Sequence, residues 1–228
     1  MIRYFTAGES HGPGLSGIVE GVPAGLPITE DAIAEHLARR QQGYGRGGRM
    51  AFEKDRAIIN SGVRFGKTMG GPIALWMENR AFQKDAAGWP VVMNKETEAD
   101  GIEKISLPRP GHADLVGAQK YRFDDIRPVI ERSSARETGM RVACTAIARQ
   151  FLKHFGIEIG GHVLRIGKAG YESWDQIRKI ADPIAEGGAE QVYKTADESE
   201  VRCLDATLSE AMVDEIKKYR KAGSSLGG

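Results

Sequence analysis

The chain has 228 residues, 41% of them hydrophobic and 28% charged, and its basic and acidic residues balance to a formal net charge of +1. This is the composition of an ordinary globular protein, with no global electrostatic attraction to nucleic acid or to a membrane surface. No apolar run approaches membrane-spanning length, Arg3 and Glu9 interrupt any N-terminal signal peptide, and the length allows one large domain or two small ones.

Residues 2–7 read as a short strand that runs into Gly8-Glu9-Ser10-His11-Gly12-Pro13-Gly14. Gly12, Gly14 and Gly17 match G-x-G-x-x-G, but a dinucleotide fingerprint needs a helix to begin among the glycines. Residues 15–21 alternate like a strand instead, so the spacing predicts paired strands whose loop presents Ser10 and His11. A histidine between loop glycines has no apolar face to fill, which makes His11 a candidate for proton chemistry.

Thr29 is placed to cap the next helix, with Glu30 and Asp31 in its first turn and Arg39 and Arg40 in its last, charges that suit both ends of the helix dipole. The loop 41–49 follows, carrying Arg46 and Arg49 among glycines. Residues 36–67 hold eight Lys/Arg against two Asp/Glu. A single short loop is a poor match for a repeated RNA-binding tract, and arginines on glycine hinges suit a small, multiply charged anion better.

Strand-like runs come at 57–59 and 72–77. Between them, Gly62 to Thr68 falls one residue short of a P-loop and leads into a strand rather than a helix, which excludes a nucleoside-triphosphate site. Residues 80–105 are polar and read as a surface excursion.

The stretch 109–139 carries the densest chemistry: His112 in a Pro-Gly turn, a short apolar run, then Arg132-Ser133-Ser134-Ala135-Arg136-Glu137. Ser134 and Glu137 have the S-x-x-E spacing of a capping box, opening a helix expected over 134–155 with Gly156 at its C-cap. Its N-terminus, flanked by Arg132 and Arg136, would suit a phosphate.

Beyond it the pattern predicts a strand over 157–167 bent at Gly160-Gly161-His162, a helix over 174–185, a polar crossover, a strand over 200–204 and a helix over 209–221 ending at Gly223. His162 reads as structural. Cys144 and Cys203, far apart and without a CxxC partner, read as core thiols of a reducing cytoplasm rather than as a disulfide or metal ligands. Short paired strands mixed with helices, without a βαβ rhythm, indicate α+β with antiparallel sheet. The residues alone thus describe an anion-handling enzyme with two glycine-flanked histidines, His11 and His112, and three groups of arginines.

Five runs, GESHGPGLSGIVEGVPAGLPI, RRQQGYGRGGRM, SGVRFGKTMGGPIAL, RPGHADLVGAQKYRFDDIRPVIERSSARETG and KAGSSLGG, resemble the chorismate synthase family, in the same order. The resemblance implies a β-α-β sandwich with antiparallel sheets around long core helices, formed by residues 1–228 as a single domain truncated at its C-terminal end. It also implies a cytoplasmic homotetramer. The implied reaction is 1,4-anti elimination of phosphate from 5-enolpyruvylshikimate 3-phosphate to give chorismate, using reduced FMN, with NADPH as a reductant. His11 would protonate the leaving phosphate with Ser10 beside it, and His112 would supply a proton to the flavin. Arg40, Arg46, Arg49 and Arg136 would hold substrate, Arg40 and Arg46 also NADP, and Arg132, Ser133 and Ser134 would contact the flavin. Family chains continue past the position of Gly228 and carry more flavin contacts, a substrate arginine and a catalytic aspartate there, so weak or no turnover is expected of this chain alone. Ser224-Ser225 stands where the family commonly has an aspartate. The alternative reading is a non-catalytic fragment that binds flavin or phosphate, or only oligomerises.

Overall fold

The computed structural model describes residues 1–45, 54–80, 82, 93, 102–224 and 226–227. They belong to two compact units, one drawn from Met1–Arg40 and Glu53–Phe151, the other from Gln41–Phe52 and Leu152–Gly228. The fold is α+β, and no described helix is long and apolar enough to cross a membrane.

The first unit is built on a four-stranded antiparallel sheet. Strand β1 (Arg3–Gly8) pairs with β2 (Gly14–Glu20). Helix α1 (Glu30–Gln41) begins after Thr29, whose hydroxyl accepts from the Ala32 amide at 3.2 Å, as the sequence indicates. Strand β3 (Ala57–Ser61) and the hairpin β4 (Val63–Arg64) and β5 (Lys67–Thr68) follow, then β6 (Ile73–Glu78), giving the sheet order β1-β2-β6-β3. The P-loop-like run is therefore a hairpin, and Gly14 and Gly17 lie within β2.

The alternation in β2 decides what packs on it. Leu15, Gly17 and Val19 face the core, while Ile18 is exposed. Short helices α2 (Asp114–Tyr121) and α3 (Arg127–Arg132) lead into α4 (Ala135–His154), the long helix expected over 134–155. Met140, Ala143, Cys144, Ala146 and Ile147 of α4 join Leu15, Val19, Ile33, Leu37, Ile73, Leu75 and Met77 in one buried core. Contact is closest at Gly17, where a Cβ would lie 2.6 Å from Cys144 Sγ. The C-terminus of α4 is a Schellman motif: the Gly156 amide bonds Lys153 O, the Ile157 amide bonds Leu152 O, and Gly156 has φ +69°.

The second unit differs from the expectation in three places. Of the strand expected over 157–167, only β7 (Arg165–Ile166) pairs, with β8 (Ala169–Gly170); the glycines at 160 and 161 break the ladder upstream, and the Val163 amide goes instead to Arg202 O. After α5 (Trp174–Ala185), the expected polar crossover is a helix, α6 (Ala189–Glu198), supported by a Glu190–Lys194 pair one turn apart. No strand forms at 200–204, because the Ser199 hydroxyl takes the amides of both Val201 and Cys203 and Arg202 turns to φ +59°. Helix α7 (Ala206–Lys221) then closes the unit, with Met212 buried against Tyr171, Val201 and Cys203.

Candidate functional site

In the first unit, the β1–β2 loop meets the α3–α4 junction. The loop carries Ser10 and His11, and the junction carries Glu131, Arg132, Ser133 and Ser134. Ser134 Oγ donates to Ser10 Oγ at 3.0 Å, and the Ser10 amide bonds Glu131 O at 3.2 Å. The structure thus brings together residues 124 positions apart that the sequence reading assigned to substrate and flavin.

Glu131 holds His11. Its Oε2 accepts the His11 amide at 2.8 Å, and its carboxylate lies 2.8 and 2.9 Å from His11 Nδ1. The Glu131 side chain is fully buried, with Arg127 at 3.7 Å one helical turn away. Burial opposes its ionisation most strongly. The hydrogen bonds from the His11 ring and amide, with the charges of His11 and Arg127, outweigh that and hold the carboxyl below its ordinary range. An ionised carboxylate only accepts, so Nδ1 carries the proton in this pair.

Arg132 reaches back to β1. Its Nη2 donates to Thr6 O at 2.7 Å and Thr6 Oγ1 at 2.8 Å, and its Nη1 lies 3.6 Å from Glu137 Oε1. The capping box expected of Ser134 and Glu137 does not form. The Glu137 carboxylate accepts from Thr6 Oγ1 at 2.6 Å and from Arg141 Nε at 2.7 Å, charge-assisted partners that outcompete a return bond to the helix start. Ser134 Oγ accepts from the Arg136 amide instead, at 3.3 Å. Ser133 spends its hydroxyl on Val129 O at 2.6 Å.

Arg136 and Arg40 are engaged within the protein. Arg136 is buried; its Nη1 pairs with Asp55 Oδ1, its Nε donates to Asn79 Oδ1 at 2.6 Å and its Nη2 to Glu78 O at 3.0 Å. Arg40 shares Asp55 through Oδ2 at 3.4 Å and donates to Ala135 O at 2.6 Å and Thr138 Oγ1 at 3.0 Å. Together they tie the ends of α1 and α4 to the segment before β3. Arg46 and Arg49 lie outside the described residues.

His112 sits in an exposed turn that Arg109 and Asp114 close. The Arg109 amide, Nε and Nη2 all donate to the buried Asp114 carboxylate, at 3.0, 2.8 and 2.9 Å. His112 Nδ1 donates to Pro110 O at 3.0 Å, which turns its Nε2 outward from that bond. The turn begins α2, and α2 packs on α3 so closely that a Cβ on Gly117 would lie 2.3 Å from Val129 Cγ1. The charge of Glu131 also contributes to raising the Arg109 pKa, after the Asp114 hydrogen bond. A cleft of about 250 Å³ lies here, lined by apolar groups including Ala113, Gly117, Tyr121 and Phe123, with Arg132 and Ser133 also in its wall.

Four residues of this region escaped the sequence reading: Thr6, Asp55, Asn79 and Glu131. Glu131 alone left a local signal, its i,i+4 spacing from Arg127. Apart from the Asp55–Arg40 pair, 15 positions apart, the others act over separations of 57 to 131 positions, which no local pattern reveals.

A family model described as chorismate synthase matches residues 2–228. The chorismate synthase of Salinibacter ruber is 54% identical over 231 residues, covering 100% of this chain and 57% of the relative. That of Chlorobaculum parvum is 52% identical over 229 residues, covering 100% of this chain and 54% of the relative. A solved structure described as a crystal structure of chorismate synthase superposes with a TM-score of 0.75 at 37% identity, over 100% of this chain and 56% of that one. The chain therefore spans little more than half the length of the relatives it matches.

Proposed function

The chain belongs to the chorismate synthase family, and from that premise we propose that it serves the elimination of phosphate from 5-enolpyruvylshikimate 3-phosphate to give chorismate. The observation that carries this reading is the Glu131–His11 pair beside the Ser10–Ser134 bond, a proton-handling group set at a serine-lined helix start. His11 Nε2 gives its proton to a phosphate oxygen as the C–O bond breaks, and the anionic Glu131 stabilises the ring while it carries positive charge. Ser10, held by the Ser134 hydroxyl at 3.0 Å, offers its own hydroxyl to the same oxygens, while Arg132, whose side chain is 43% exposed, stands with Ser133 and Ser134 as a flavin contact. Arg46 and Arg49 join as substrate-binding cations. Arg40 and Arg136 serve by fixing the frame around Asp55.

The residues present fit a reduced FMN. The apolar, aromatic-lined cleft beside Ser133 and Arg132 suits a flat ring system, and His112 at the start of α2 exposes a nitrogen near it in sequence and fold. Held beside Arg132 and Ser133, reduced FMN would supply electron density to the substrate. His112 holds the proton that balances charge on the flavin ring. NADPH as reductant, a homotetramer and a cytoplasmic setting complete the proposal.

The test is direct: the chain is mixed anaerobically with reduced FMN and 5-enolpyruvylshikimate 3-phosphate, and chorismate is followed by absorbance. Weak product formation, above the enzyme-free control and lost in His11→Ala, is the expected result. No product at saturating substrate, with flavin still bound, overturns the catalytic reading for this chain.

A further inference from the structure

We propose that Asn79 is a positioning residue that sets the geometry of the Ser10–His11 loop, an inference that rests on His11 being the proton donor. Asn79 lies one residue past β6 and is completely buried. Its Nδ2 faces the loop and donates to Gly12 O at 2.7 Å, Glu9 O at 3.2 Å and Ser10 O at 3.3 Å, while its backbone amide donates to Pro13 O at 3.0 Å. A loop joining two strands leaves carbonyls without ladder partners, and burying them unpaired is costly. Here one carboxamide gathers the carbonyls on either side of His11.

The orientation of that carboxamide is settled by Arg136. A guanidinium only donates, and Arg136 Nε meets Asn79 Oδ1 at 2.6 Å, so the oxygen points to α4 and the nitrogen to the loop. Arg136 is fixed in turn by Asp55 Oδ1 and Glu78 O. A chain of contacts thus runs from Asp55 through Arg136 and Asn79 to the carbonyls of Glu9, Ser10 and Gly12 that flank His11. Glu131 fixes the ring and the amides; Asn79 fixes the carbonyls. An aspartate at position 79 has the same shape but turns an oxygen toward three carbonyl oxygens, so shape alone does not fill the role.

Hydrogen exchange and ¹⁵N spectra of the histidine ring, measured on this chain, test the proposal without requiring turnover. In Asn79→Asp and Asn79→Ala, the amides of Ser10 and His11 are expected to exchange about 10-fold faster or more, and the His11 ring signals to depart from the single Nδ1–H pattern. Amides of the β2–β6 ladder, such as Val19, serve as the reference and keep their protection. A folded variant with unchanged Ser10, His11 and ring signals overturns the proposal. If neither variant folds, the unsubstituted chain decides: the Asn79 side-chain NH₂ protons must exchange about 10-fold slower than those of an exposed asparagine, and exchange at the exposed rate overturns it. A failure of the chorismate assay leaves both readouts standing, so the two proposals fail separately.

Discussion

Glu131 and His11 are joined twice, once through the His11 amide at 2.8 Å and once through its ring Nδ1 at 2.8 Å, across 120 positions of sequence. The amide bond fixes where the residue is and the ring bond fixes which nitrogen carries the proton. Glu131→Gln keeps the shape, but its carboxamide has one acceptor oxygen where the carboxylate has two. The expected outcome is mixed tautomers of His11 in ¹⁵N spectra and, in the proposed reaction, a kcat lowered on the order of 10- to 100-fold with KM little changed. An unchanged ring spectrum would show that Glu131 does not set the tautomer. The stability contribution has a definite sign as well. The Glu131 carboxyl is held below its ordinary range, so its contribution is present above that range and is lost as pH falls through the folded value.

The turn that carries His112 should be acid-labile. The hydrogen bond from Arg109, more than any other influence, holds the Asp114 carboxyl at about 2, against an opposing effect of burial. A depressed folded pKa contributes stability that is complete above the unfolded carboxylate range, near 4, and disappears as pH falls toward 2. Asp114→Asn should therefore lower unfolding free energy by about 1–2 kcal/mol at neutral pH, a figure kept small because the Arg109 side chain is 45% exposed. The difference from the parent chain should shrink as pH drops from about 4 to 2. A difference that persists unchanged at pH 2 would refute the assignment, and urea unfolding across that range measures it.

The core thiols should be silent until the protein unfolds. Burial, with a smaller contribution from the charge of Glu137, pushes the Cys144 thiol up to about 12, and only 1% of the residue is exposed. The thiolate is the reactive form, so Cys144 should not react with Ellman's reagent at pH 8 in the native state. Cys203, 2% exposed, should be protected by access alone. Both should titrate within minutes in denaturant, and a fast-reacting native thiol at either position would contradict the packing of α4 on β2 or of α7 on its unit.

How far the sequence reached depends on the range of the interaction concerned. Alternation at Leu15, Gly17 and Val19, the cap at Thr29 and the terminating Gly156 are local signals, and each element they indicate is present. The ladder expected at 200–204 failed because a side chain, Ser199, competes for amides that periodicity alone would give to a strand. Helices α2 and α3 leave only an apolar run in the sequence, being too short at 8 and 6 residues for a periodic pattern to stand out. In the candidate site, residue types were legible and partners were not. Histidine between glycines marks His11, but that a buried glutamate from α3 holds it, and an asparagine past β6 holds its loop, is a property of the closed fold.

Arg136 gives the sharpest contrast between the two levels. In sequence it stands in an arginine- and serine-rich helix start and suggests a ligand contact. In the structure its guanidinium meets Asp55, Asn79 and Glu78 O, and the side chain is only 7% exposed. An arginine that contacted ligand alone could be replaced with little effect on stability. One that neutralises a buried aspartate cannot, because removing it takes the close ion pair from the Asp55 carboxylate, which is 1% exposed and keeps Arg40 only at 3.4 Å. Arg136→Ala should therefore cost about 3–5 kcal/mol in chemical denaturation. Arg136→Lys keeps the charge but not the planar fork, and should recover only part of that loss because one ammonium cannot reach three partners set around a guanidinium. Full stability in Arg136→Ala, with substrate affinity alone reduced, would return Arg136 to the ligand-binding role and remove it from the frame.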